Sequence, residues 1–119
     1  MPSRVTKLFP IFAVVDLPAA LAYYRDRLGF TIAWTWGEPV IRAGVVLDDI
    51  ELHLELPGPG AASGSSVVYC HMTGVENYYE ACRARGAKIV MELADRPWGM
   101  RDFRVVDDSG NRLGFASAI

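Results

Sequence analysis

Three polar side chains recur at every second position of the segment IELHLEL (residues 50–56), a spacing that could serve chemistry. Glu51, His53 and Glu55 would project from one side of a β-strand, because successive side chains of a strand alternate between its faces. On that face they could bind cationic or hydrogen-bonding parts of a ligand, with His53 partly protonated. Facing water, they would need no special role. A general-base role would need a reacting partner within hydrogen-bond reach, and the sequence supplies no candidate.

Nucleophilic catalysis finds little support elsewhere in the chain. The sequence has two histidines and no nucleophile-elbow motif, so a Ser-His-Asp or Cys-His arrangement is not indicated. Asp107 and Asp108 form an acidic pair, but the SGN that follows predicts that both are turn residues. The residue types therefore favour recognition of a ligand over its chemical conversion.

Large aromatic side chains lie on strand faces that a helix does not cover. In TIAWTW (31–36), we expect Ile32, Trp34 and Trp36 to share one face, and in SVVYCHM (66–72) Tyr69 shares a face with His71. Rings of this size are seldom left together in water, so the pattern favours a cavity lined by flat rings. The alternatives are packing in the core or a dimer interface for the tryptophans and a surface position for His71.

The segment FRVVDDSGNRLGF (103–115) predicts a final hairpin whose apolar residues face the core. Arg104, Arg112 and Gly114 would face the other way, together with Asp102 just upstream. We expect the aspartate and the two arginines to form ion pairs with one another, and ligand contact is the alternative.

The elements that position these residues occur twice along the chain. Each of the segments 16–32 and 73–89 reads as a helix that ends at a glycine and enters a strand. Asp16 is the predicted cap of the first helix, and Thr73 with Glu76 predicts a capping box for the second. With the flanking strand patterns, each half reads β-α-β-β-β. One domain, 1–119, is thus expected, with modules at 1–57 and 66–119 and a flexible Gly/Pro-rich linker at 58–65.

Composition excludes several partner classes. The chain has 119 residues, a formal charge of −2 and 51% hydrophobic residues, and it shows no basic stripe, so we expect no nucleic-acid partner. No apolar run approaches membrane-spanning length, and the N-terminal apolar stretch lacks a cleavage site, so neither a membrane partner nor a signal peptide is predicted. Cys70 and Cys82 are expected to be free thiols of a cytoplasmic protein.

Three segments carry a family resemblance: VVDLPAALAYYRDRLGF (14–30), VVLDDIELHLEL (45–56) and, above all, RPWGMRDFRVVDDSGNRLGF (96–115). They resemble the vicinal-oxygen-chelate superfamily, which includes glyoxalase I, ring-cleaving dioxygenases and bleomycin-resistance proteins, and they are most similar to the last group. The resemblance implies an α+β fold of two βαβββ modules with curved mixed sheets. It also implies a homodimer, often with an exchanged N-terminal strand.

The metal positions of the family's enzymes can be located in this sequence. By that correspondence Phe9, Val67 and Gly114 stand where ligands would be, and only the site near Glu51 or His53 retains one. One carboxylate or imidazole does not hold a divalent ion. We therefore expect no metal, no cofactor and no catalytic residue.

The resemblance implies a protein that sequesters a small aromatic DNA-damaging antibiotic, bleomycin-like or another planar natural product, in grooves at the dimer interface. Trp34 falls where the group places a ring that stacks on the drug, and Trp98 is the tryptophan of its Pro-Trp-Gly loop. A metal-dependent enzyme using Glu51, His53 and His71 and a ligand sensor are the alternatives. The expected ligand-contacting residues are Phe9, Trp34, Trp36, Glu51, His53, Tyr69, Trp98, Met100, Asp102, Arg104 and Arg112.

Overall fold

The computed structural model describes residues 2–119 and contains two α-helices and eight β-strands. In the first half the elements are β1 (Ile11–Ala13), α1 (Leu17–Asp26), β2 (Thr31–Trp36), β3 (Arg42–Leu47) and β4 (Ile50–Glu55). In the second they are β5 (Val67–His71), α2 (Val75–Ala84), β6 (Lys88–Asp95), β7 (Met100–Val106) and β8 (Arg112–Ala118). No helix among the described residues is long and apolar enough to cross a membrane.

Each half forms its own mixed four-stranded sheet. The strand orders are β1-β4-β3-β2 and β5-β8-β7-β6, so the two halves have the same topology. The first strand of each half runs parallel to the last, and the remaining neighbours are antiparallel. The α+β fold of two βαβββ modules is therefore confirmed.

The two helices begin differently. Asp16 caps α1 by accepting a hydrogen bond from the Ala19 backbone N–H at 3.0 Å, as predicted. The capping box predicted for α2 is wrong: Gly74 is the N-cap, in the left-handed region at φ 70°, and no side chain next to it in sequence caps the helix. The Ser117 hydroxyl of β8 instead accepts a hydrogen bond from the Val75 backbone N–H at 3.3 Å. A side chain from a distant strand therefore pairs with a backbone N–H of the first helical turn, the role that a local cap usually has.

One apolar core spans both halves. The helices cover one face of each sheet, and Phe12, Tyr24, Phe103 and Phe115 are among its largest fully buried side chains. Asp107 joins the halves, because its carboxylate accepts hydrogen bonds from the Tyr24 hydroxyl at 2.9 Å and from backbone N–H groups of its own turn. Asp107 is thus a buried structural residue of a turn, as its sequence context predicts. The opposite side of each sheet, called here its open face, carries the polar and aromatic residues.

The face predicted for Ile32 is wrong. The β2–β3 register shifts between Ile32 and Trp34, so Ile32 lies beside buried Val45 whereas Trp34 lies beside Gly44. An irregularity of this kind changes which face the following residues occupy. Ile32 therefore packs against the core, and Trp34 lies on the open face together with Trp36.

Candidate ligand-binding site

Four of the predicted residues meet on the open face of the first sheet, and we call them the Trp34 cluster: Phe9, Trp34, Glu51 and His53. The Phe9 ring stacks on the His53 imidazole with centroids 4.6 Å apart, and the Trp34 indole meets the imidazole edge-on at 5.0 Å. Glu51 Oε2 accepts two hydrogen bonds, one from His53 Nε2 at 2.6 Å and one from Trp34 Nε1 at 3.3 Å. The cluster is therefore a surface of aromatic rings in which the nitrogens of His53 and Trp34 and one oxygen of Glu51 are hydrogen-bonded.

Arg42 determines the form of the imidazole. Its Nη2 lies 3.2 Å from His53 Nδ1, and because a guanidinium only donates, Nδ1 accepts and the proton of a neutral ring lies on Nε2. His53 then donates to Glu51. The hydrogen bonds from His53 and, next, from Trp34 lower the pKa of Glu51, so this carboxylate stays charged at neutral pH. A base with both ring nitrogens engaged is poorly placed to accept a substrate proton.

Gly44 makes room for the indole of Trp34. A methyl group at this position would collide with the indole Nε1 and lie 2.5 Å from Cε2. The ring therefore lies against the bare backbone of β3. A glycine within a strand often marks such a close approach, so this residue could have been found from the sequence, although neither Gly44 nor Arg42 was predicted to belong to the site.

A second group, the Tyr69 cluster, lies on the open face of the second sheet and consists of Tyr69, Arg96, Trp98 and Asp102. The Tyr69 hydroxyl donates to Asp102 Oδ2 at 2.6 Å, and the indole of Trp98 donates to the Tyr69 oxygen at 3.4 Å. Arg96 Nε donates to Asp102 Oδ1 at 2.7 Å. The predicted pairing of Asp102 with Arg104 and Arg112 is thus wrong, because Arg96 in the loop before β7 reaches this carboxylate first.

Asp102 is buried and charged. Its side chain is 1% exposed and that of Arg96 is 16% exposed. Burial alone would raise the pKa of Asp102, but the hydrogen bonds from Tyr69 and Arg96 outweigh burial and hold the pKa below its usual value. Burial, followed by the bond to Asp102, raises the pKa of the Tyr69 hydroxyl. The ring of Tyr69 lies over Gly114, where a methyl group would come within 2.8 Å of its Cδ1.

The remaining predicted residues lie around these clusters. Trp36 is 65% exposed on the face that carries Trp34, and Met100 and Arg104 are half-buried on the face that carries Asp102. Arg112 is exposed on that face, and the His71 imidazole meets Tyr69 edge-on at 5.6 Å. Trp36, Met100 and Arg112 therefore flank the two clusters and lie outside the contacts that define them.

A groove of about 680 Å³ lies within one chain and is lined by some members of each cluster, whereas Trp34, His53, Trp98 and Asp102 are not among its lining residues. It lies between the N-terminal segment 7–10, the start of β4 and strand β5, and it is lined by Phe9 and Glu51 on one side and by Tyr69 on the other. This volume lies within the range of small-molecule sites. Among residues 2–119, no three His, Cys, Asp or Glu side chains come together as ligands for a metal ion.

Comparisons with known proteins identify the fold. The model of the Glyoxalase/Bleomycin resistance protein/Dioxygenase superfamily matches residues 7–115. A comparison with curated protein sequences gives no match.

Three solved structures illustrate the similarity. TnmS3, an antibiotic binding protein from Streptomyces sp. CB03234, aligns with a TM-score of 0.84 at 20% identity over 99% of this chain and 100% of its own. TioX from Micromonospora sp. ML1 aligns with a TM-score of 0.81 at 21% identity, over 97% of this chain and 100% of its own. A bleomycin-binding protein from Streptomyces verticillus, solved with copper(II)-bleomycin, aligns with a TM-score of 0.80 at 22% identity, over 99% of this chain and 100% of its own. At these identities the likeness establishes the fold alone.

Proposed function

Because the chain belongs to the glyoxalase/bleomycin resistance protein/dioxygenase superfamily, we propose that it binds a small aromatic DNA-damaging antibiotic and confers resistance by sequestering it. The guest would be bleomycin-like or another planar natural product, held in the groove without being changed. The observation that carries the proposal is the Trp34 cluster. An indole held against a glycine, beside a stacked Phe9–His53 pair, offers flat apolar surface to a flat guest.

The polar groups of the site support binding over turnover. His53 is hydrogen-bonded on both sides, Glu51 accepts two hydrogen bonds, and Asp102 is engaged by Tyr69 and Arg96. Because both ring nitrogens of His53 are engaged, its imidazole cannot accept a substrate proton without breaking the bond from Arg42. The donor set also lacks a third metal ligand, so we propose a binding protein that holds no metal. Its location in the cytoplasm, with Cys70 and Cys82 as the free thiols that the structure shows, belongs to the same proposal.

Tryptophan fluorescence tests the function. We expect titration with copper(II)-bleomycin, metal-free bleomycin or a planar anthraquinone to quench Trp34, with a Kd tighter than about 10 μM for at least one of them. The variant W36F/W98F keeps Trp34 as the sole tryptophan, and W34F/W36F keeps Trp98. Quenching that is strong in the first variant and weak in the second would place the guest at the Trp34 cluster.

Elemental analysis of protein purified without chelator is the control for the enzymatic alternative. A stoichiometric divalent metal would favour a metal-dependent enzyme and contradict the proposal, as would the lack of measurable binding to every compound tested. Expression in a drug-sensitive host separates sequestration from ligand sensing, since only a sequestering protein should raise tolerance.

We also propose that a second copy of the chain completes the groove. Apolar side chains next to it are exposed in the single chain: Val5 by 90%, Leu8 by 85%, Val67 by 58% and Ile11 by 45%. Large apolar side chains left this exposed favour association. Sedimentation equilibrium at micromolar concentration should give twice the monomer mass, and Leu8→Glu should shift the protein toward monomer. An unaltered monomer mass for the parent protein would contradict the dimer, and whether β1 is exchanged between copies stays a prediction.

A further inference from the structure

Two arginines on the open face of the second sheet, Arg104 and Arg112, form no ion pair among residues 2–119. Asp102 lies on the face that carries Arg104 and feels its charge, but its ion pair is with Arg96. In the β7–β8 register, Arg104 lies opposite Gly114 and Arg112 lies opposite Val106, which makes the two arginines diagonal neighbours. Such positions are about 7–8 Å apart between Cα atoms. Like charges on neighbouring side chains of one sheet face repel one another, and a bound anion would relieve that repulsion.

The carboxylates of the two clusters, and that of Glu55 next to them on the first sheet, already have partners. Asp102 is bound by Arg96 and Tyr69, Glu51 by His53 and Trp34, and Glu55 lies 3.7 Å from Arg42. A cationic guest would therefore have to displace an existing partner at Asp102 and would compete with Arg42 at Glu55, whereas Oε1 of Glu51 accepts no hydrogen bond among residues 2–119. The two arginines would have no partner to lose in binding an anion.

The structure assigns Arg104 and Arg112 to an anion-binding subsite, and this inference rests on the proposed function. The guest is then a planar aromatic compound that carries an ionised acidic group. Gly114 contributes no side chain between the arginines, and the stem of Arg104 runs beside it, 3.6 Å from where a methyl group would be. The Tyr69 ring over Gly114 supplies a surface for the planar part of the guest, and the guanidinium groups bind the carboxylate in a bidentate manner.

One competing arrangement is a cationic guest in the groove itself, which Tyr69 lines but Arg104 and Arg112 do not. Asp48 and Asp49, in the turn between β3 and β4, line the groove and are exposed. A cation would be drawn there, away from the arginines. The charge preference of the site therefore distinguishes the two arrangements.

A matched pair of probes tests the inference: anthraquinone-2-carboxylate and its uncharged carboxamide, with affinities measured by calorimetry. The parent protein should bind the carboxylate about tenfold more tightly than the amide. The variant R104Q/R112Q should bind both equally, at the affinity of the amide. R25Q is the control, because Arg25 is exposed on α1 and pairs with Asp26; it should keep the preference. Raising the salt concentration should reduce it.

The experiment distinguishes failure of the anion subsite from failure of the proposed function. Equal binding of both probes by the parent protein, tighter binding of the amide, or a preference that survives in R104Q/R112Q would overturn the anion subsite and leave the aromatic site in place. Binding of neither probe would contradict the proposed function for planar guests, and the subsite with it.

Discussion

Gly44→Ala is expected to weaken binding of an aromatic guest about 30-fold, the loss that follows when an aromatic contact worth about 2 kcal/mol is removed. The added methyl group would occupy the space of the Trp34 indole. The ring must then leave its place over β3, and it loses its hydrogen bond to Glu51 and its edge-on contact with His53. Calorimetry measures the affinity, and near-ultraviolet circular dichroism reports the displaced ring without any guest.

Gly58→Ala is the matched control, because a methyl group at Gly58 would meet nothing within 4 Å. Its affinity should equal that of the parent protein. A double-mutant cycle adds the decisive comparison: G44A/W34A should bind no more weakly than W34A, since the glycine acts through the indole. Full affinity in G44A would contradict the role given to Trp34.

Asp102→Asn is expected to lower the free energy of unfolding by about 3 kcal/mol, the scale for breaking a buried ion pair. The carboxylate offers an oxygen to each of two donors, Tyr69 and Arg96, whereas an asparagine offers one oxygen and an NH₂ group. One donor would lose its acceptor, and the Arg96 charge would stay largely buried without compensation. Urea unfolding measures the change.

The contribution of Asp102 to the free energy of unfolding is expected to depend on pH. Because the folded-state pKa of Asp102 is lowered, its contribution is fully present above the unfolded-state pKa of about 3.9 and is lost as the pH falls through the folded value. The parent protein should therefore lose more stability than D102N on acidification below about pH 4. Asp95→Asn is the matched control, since Asp95 forms an exposed ion pair with Arg101 and should change the midpoint little. Equal effects of the two substitutions would contradict a special role for Asp102.

The sequence predicted the fold because its signals are local and occur twice. Asp16 before a helix, glycines after both helices and alternating strand residues each act over a few positions, so the βαβββ repeat could be read directly. The Trp34 cluster was predicted in part, since strand alternation places Glu51 and His53 on one face. The irregularity after Ile32 has no comparable local signature, and it moved that residue to the core.

The pairing of charges could not be predicted from proximity in sequence. Arg104 is nearer to Asp102 along the chain, but Arg96 comes back to it through the turn before β7. The cap of α2 is likewise supplied by Ser117, more than forty residues away. Contacts of this kind depend on the path of a loop and on the packing of one strand against a helix, which strand alternation does not specify.

In both halves an aromatic ring lies against a strand glycine: Trp34 lies over Gly44 in the first half and Tyr69 lies over Gly114 in the second. Each ring also donates to a nearby acid, Glu51 or Asp102. Ligand selectivity can therefore evolve one half at a time, because a change of ring type in either module alters the contact surface of that sheet and leaves the other sheet unchanged.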